Sequence, residues 1–126
     1  MPASATPDDL MREFATRTNT HDFDAVAPLI ADDAVYFFSD GTHTGREELR
    51  RAFADTWATI RDETYGIEDV RWLARDERIA VSVYRFRWRG VVDGQEREGS
   101  GRGTSALARM EGGWRVVHEH LSPMPV

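Results

Sequence analysis

Glu119 is the residue of this sequence best placed to move a proton. The run from Trp114 to Leu121 (WRVVHEHL) alternates as a strand, which puts Val117, Glu119 and Leu121 on one face. A carboxylate among apolar neighbours loses solvation, and its pKa rises toward the range useful to a general acid or base. Plainer roles compete: an ion pair with an inward Arg, Arg85 being the best placed, a side chain reaching solvent, or a ligand anchor. His118 and His120 share the opposite face at a spacing used in metal sites, but a third ligand would have to arrive from His43 or Asp40 in a loop. We expect no metal and read the two as structural or interface histidines. Asp40 and His43 could work as an acid–base pair, yet Asp40-Gly41 is ordinary turn chemistry, and the turn is the preferred reading. His21, beside a helix cap, reads as a surface or capping residue. Gly99-Ser-Gly-Arg-Gly103 follows no strand-to-helix switch, so it is no phosphate loop and reads as a bulged or bent strand segment. No cofactor motif stands out.

The bulk properties narrow the setting for this chemistry. One domain over 1–126 is expected from 126 residues, with 1–6 as a disordered lead. Zero cysteines exclude a thiol nucleophile, a zinc–thiolate site and a disulfide framework. A net charge of −6 argues against nucleic acid or an anionic membrane as the main partner. No apolar run approaches the roughly 18 residues of a membrane span. The start MPASATPDD has neither a cationic region nor an apolar stretch, so no signal peptide is expected and a cytoplasmic location fits. All 16 cationic side chains are Arg, which suggests GC-rich coding DNA and a bacterial source. Six Phe, four Trp and three Tyr are many for one small domain and must line something.

The elements that hold these residues follow from periodicity. Thr6-Pro7-Asp8-Asp9 has the cap, proline and acids of a helix start, and the helix runs to about Asn19. Asp22 caps a second helix carrying Phe23, Val26, Ala27 and Ile30, which Pro28 should kink or shorten. Ala34–Phe38 reads as a short strand and 39–43 as a loop. Thr44 and Glu47 form a capping box for a third helix whose stripe is Leu49, Ala52, Phe53, Thr56, Trp57 and Ile60. Beyond it the period is two, giving strands at about 64–75, 78–92, 95–110 and 113–121, with Asp93-Gly94 as a hairpin turn. The class is α+β. Helices cover one sheet face only, while strands 79–92 and 114–121 carry bulk on both, so a homodimer packed sheet to sheet is expected.

Three stretches together resemble the SnoaL-like and ketosteroid-isomerase-like branch of the nuclear transport factor 2-like superfamily. They are Asn19-Thr-His-Asp-Phe-Asp through Leu29 to Asp33-Ala34, Gly45-Arg-Glu-Glu-Leu49, and Gly113-Trp-Arg-Val-Val-His-Glu-His-Leu-Ser122. The resemblance covers roughly residues 8–122. It implies a cone, with three N-terminal helices in the concave face of a strongly curved, mainly antiparallel sheet and a pocket at the wide end. It also implies where isomerase groups should stand: a donor tyrosine at Phe14, a base aspartate at Phe38, and a protonated acid near Ser105 or Ala106. None of these residues can play its part, so ketosteroid isomerase activity is rejected. What remains is an aromatic pocket for a small apolar or aromatic molecule, with Phe14, Tyr36, Phe38, Phe53, Trp57, Phe86 and Glu119 as its candidate lining. Within the strand 79–92 the two faces compete, Tyr84/Phe86/Trp88 against Arg85/Arg87/Arg89, and Phe86 is placed inside. Three functions stay open: a ligand binder without catalysis, an isomerase, cyclase or hydratase using Glu119 as acid or base, and a dimerisation scaffold. The superfold hosts all three.

Overall fold

The computed structural model describes residues 4–125. Helix α1 (Pro7–Thr18) starts where expected: Thr6 Oγ1 accepts the Asp9 amide at 3.0 Å, and Asp8 and Asp9 fill the first turn. Asp22 caps α2 (Phe23–Val26) by accepting the Asp24 amide. Pro28 brings no N–H, and the chain tightens into a 3₁₀ turn over Ala27–Leu29 instead of continuing the helix. Strand β1 (Ile30–Phe38) therefore begins four residues earlier than the sequence suggests, and Ile30 belongs to it. The expected loop after it is largely a second strand, β2 (Gly41–Thr44), paired tightly back through Phe38↔Gly41 and Val35↔Thr44. Helix α3 (Gly45–Thr59) buries Leu49, Ala52 and Phe53.

Its capping box differs from expectation by one position. Glu48, not Glu47, reaches back, and its Oε1 accepts the Thr44 amide at 2.8 Å, while the Thr44 hydroxyl makes no cap bond. Removing that acceptor exposes one of the helix's orphan amides. Glu48→Ala is expected to lower stability by about 1 kcal/mol in urea denaturation, with Glu47→Ala near neutral.

Four long strands complete the sheet: β3 (Arg61–Arg75), β4 (Ile79–Val92), β5 (Gln95–Met110) and β6 (Gly113–Pro123). The order is β2-β1-β6-β5-β4-β3, all antiparallel except the β1–β6 pair, so the sheet is open and α+β as expected. Asp93 and Gly94 both take positive φ, 52° and 77°, the geometry of a two-residue hairpin turn, and lock β4 onto β5 in one unbroken register. Gly99–Gly103 is consequently regularly paired strand without a bulge.

Register shifts occur along β3 and in the β1–β6 pair, and the one that bears on the site lies in β6, where Ala106 pairs with His118 and Leu107 with Val116, leaving Val117 extra. That bulge shifts the alternation. Trp114 and Val116, expected on the outer face, are buried in the core, while Glu119 and Leu121 still point inward. Of the lead expected to be disordered, residues 1–3 lie outside the described residues, and Ser4 is buried, bridged to Trp114 and bonded to Glu13. No helix among the described residues is long and apolar enough to cross a membrane. The core of Leu10, Phe14, Val26, Leu29, Ile30, Leu49, Leu107 and Val116 sits between helices and sheet, and one end of it opens into a cavity.

Candidate functional site

The cavity encloses about 280 Å³ and is walled by α1, β1, α3 and the inner faces of β3, β4 and β6. All seven residues singled out in the sequence line it: Phe14, Tyr36, Phe38, Phe53, Trp57, Phe86 and Glu119. Phe53 is the hub, within 5.3–6.4 Å of the rings of Phe14, Phe23, Tyr36, Phe38 and Trp57. The aromatic face of β4 points inward, with Tyr84, Phe86 and Trp88 all in the wall.

Glycines make that wall possible. Tyr84, Phe86 and Trp88 pair across strands with Gly103, Gly101 and Gly99, and a Cβ at any of these glycines would overlap the ring opposite. The three rings lie down over bare backbone, and the Gly-x-Gly-x-Gly run is the footprint of the aromatic stripe. Register alone could have revealed this, because the Asp93-Gly94 turn fixes which residue faces which.

Glu119 makes no ion pair with Arg85. It is 4% exposed, with its Oε1 accepting from the Tyr84 hydroxyl and its Oε2 from Ser105 Oγ at 2.6 Å. Arg85 alternates away from Tyr84 and is exposed. Burial therefore raises the Glu119 carboxyl to about 8, although the Ser105 and Tyr84 hydroxyls pull the other way. Tyr36 stands beside it as its cross-strand partner, 1% exposed, and its hydroxyl has no hydrogen-bond partner among the described residues. Burial and the neighbouring Glu119 both hold the Tyr36 and Tyr84 phenols protonated. Tyr65 lines the cavity with Tyr84 and extends the cluster. Of Ser105 and Ala106, it is Ser105 that is buried and bonded to Glu119.

Sequence reasoning missed a second carboxyl, Glu63. It lines the cavity from the start of β3, is 7% exposed, and is pushed by burial to about 7, with nearby His21 pulling the other way. His21 is no surface cap. Its Nε2–H donates to the Glu63 carbonyl at 2.8 Å, and its ring stacks on Trp57 at 5.5 Å. Asn19 completes the stitch by accepting the Tyr65 amide at 2.6 Å and donating to its carbonyl at 2.8 Å. At the rim, His43 Nε2–H donates to Asp40 at 3.1 Å. His118 Nδ1–H is spent on the Val35 carbonyl at 2.7 Å, and both His118 and His120 pack edge-on to Phe37.

No curated protein matches the sequence. Among solved structures, a nuclear transport factor 2-like superfamily protein from Salmonella enterica superposes with a TM-score of 0.86 at 17% identity, covering 94% of this chain and 88% of its own. A candidate aromatic ring hydroxylase from Novosphingobium aromaticivorans gives 0.84 at 23% identity, covering 94% and 87%. A candidate scytalone dehydratase from the same organism gives 0.81 at 12% identity, covering 94% and 81%. Such likenesses establish the fold, not the reaction. The family is fixed separately: the SnoaL-like domain family matches residues 8–126, the stretch that builds both the helices and the cavity, and the chain belongs to it.

Proposed function

We propose that the cavity is an acid–base active site for a small, flat, largely apolar molecule carrying one oxygen, with Glu119 delivering the proton to that oxygen. The observation that carries this reading is the state of Glu119: buried, in the cavity wall, and held by two hydroxyls with no cation among the described residues in contact. Both carboxyl oxygens accept, so the carboxyl's own proton is left to point into the cavity. A pKa of about 8 keeps that proton in place at neutral pH. A substrate carbonyl there takes one hydrogen bond from Glu119 and one from the unpartnered Tyr36 hydroxyl. As Glu119 passes its proton to the oxygen, Asp40, which lines the rim of the same cavity, takes the proton from the adjacent carbon and the enol forms, with Tyr36 steadying the oxygen throughout; this is the step shared by isomerisation, cyclisation and dehydration. The aromatic wall supplies affinity and excludes water. The volume, near the lower end of ligand pockets at roughly 300 Å³, suits one or two rings.

Proton NMR of ring ketones in D₂O with the protein tests this. Catalysed deuterium exchange beside the carbonyl is expected. Binding without exchange across such a panel would leave a ligand carrier, the reading favoured by Phe14 and Phe38 standing where the resemblance calls for isomerase groups. We place a homodimer on the outer sheet face, where Phe37 is 38% and Ile79 55% exposed. A monomer at micromolar concentration in light scattering would rule it out. A cysteine-free, acidic chain suits the cytoplasm.

A further inference from the structure

Glu63 is a costly residue to keep without a task. It sits nine-tenths buried, and no described residue gives its carboxyl a hydrogen bond or an ion pair; His21 spends its Nε2–H on the Glu63 backbone carbonyl. Thr18, at the end of α1, lines the same cavity, is 6% exposed, and its Oγ1 has no partner among the described residues. The Asn19 and His21 bonds to β3 bring these two orphaned groups to one end of the cavity. That end is distinct from the Glu119 end. Glu63 packs beside Gly90 and its neighbour Tyr65 pairs with Trp88, whereas Glu119 is bonded to Tyr84, on the other side of Phe86 along β4.

Buried polar groups are nearly always satisfied, and leaving them unpaired costs stability. The Thr18 hydroxyl is such a group, the Glu63 carboxyl stands in the same cavity wall with no bond from a described residue, and a ligand entering the cavity can satisfy both. We infer that Glu63 and Thr18 form a second recognition subsite, which binds a hydroxyl group at the end of the substrate away from the reacting oxygen. A hydroxyl uses both orphans at once, donating to the carboxyl of Glu63 and accepting from Thr18. The substrate class is thereby narrowed from a flat apolar ketone to a hydroxylated ring compound with oxygens at two ends. This rests on the cavity being the binding site.

Calorimetry with 2-naphthol, its isostere 2-methylnaphthalene and 2,6-dihydroxynaphthalene tests the inference on the wild-type protein and on Glu63→Leu and Thr18→Val. The wild type is expected to bind the dihydroxy compound about tenfold tighter than 2-naphthol, the increment of one hydrogen bond to a charged group. In both variants that increment should vanish while 2-methylnaphthalene binds unchanged, and both variants should melt higher than wild type because an unpaired buried polar group has gone. An increment that survives in Glu63→Leu and Thr18→Val overturns the subsite and leaves the cavity reading intact. Failure of all three compounds to bind the wild type overturns the cavity reading itself, and the subsite with it.

Discussion

Glu119→Gln is expected to lower turnover by about 10²–10⁴-fold while leaving ligand affinity within a few fold. The amide keeps the shape of the carboxyl and can still donate a hydrogen bond to the substrate oxygen, but it has no proton to transfer. Steady-state kinetics should therefore show the loss in kcat and not in KM. The wild-type rate should also fall above about pH 8, as the acid form is titrated away. Stability follows the same group with a sign that can be worked out. The folded carboxyl is raised from 4.5 to about 8, so between those values the native state holds a proton that the unfolded state does not. Its stabilising contribution is full below about pH 4.5 and is lost as pH rises through about 8. Glu63, raised from 4.5 to about 7, acts in the same direction. Melting temperature should accordingly decline from mildly acidic to alkaline pH, and Glu119→Gln should flatten the decline.

Gly103→Val carries the second large effect, and its sign separates two explanations. If Gly103 were merely a weak point of β5, a β-branched residue in mid-strand would stabilise the sheet. If the glycine is there because Tyr84 lies over it, the new side chain overlaps the ring and must push it off Glu119. Overpacking of that kind costs about 1–3 kcal/mol. It would also dismantle the Tyr84–Glu119–Ser105 cluster, so loss of activity should accompany loss of stability. A double-mutant cycle with Tyr84→Ala gives the check, because removing the ring should relieve most of the valine's cost. Additive effects would mean the stripe and the glycines are unrelated.

These two sites also show how far the sequence could be read. The inward face of β6 at Glu119 and the stripe of α3 follow from period two and period 3.6, which are local. The place of Phe86 needed the resemblance as well, because its strand carries bulk on both faces. Glu63 was not legible: Arg61-Asp62-Glu63 looks like a polar approach to a strand, and its burial comes from Asn19 and His21, more than forty residues away. The bulge at Val117 was invisible for a related reason, since two neighbouring strands must agree on it and no residue type demands it. The β1–β2 hairpin was missed because Gly41–Thr44 has no apolar alternation, being an edge strand with one partner. By contrast, the match of Gly99, Gly101 and Gly103 to three aromatics was present in the sequence once the Asp93-Gly94 turn set the register.

The proton on Glu119 is the pivot of the proposed chemistry, and carboxyl ¹³C NMR of labelled glutamate sees it directly. Across a pH titration two glutamates are expected to change state well above the ordinary range, one near 8 that disappears in Glu119→Gln and one near 7 that disappears in Glu63→Leu. A Glu119 signal that titrates near 4.5, like an exposed carboxyl, would contradict the proposal that it carries the transferred proton at neutral pH.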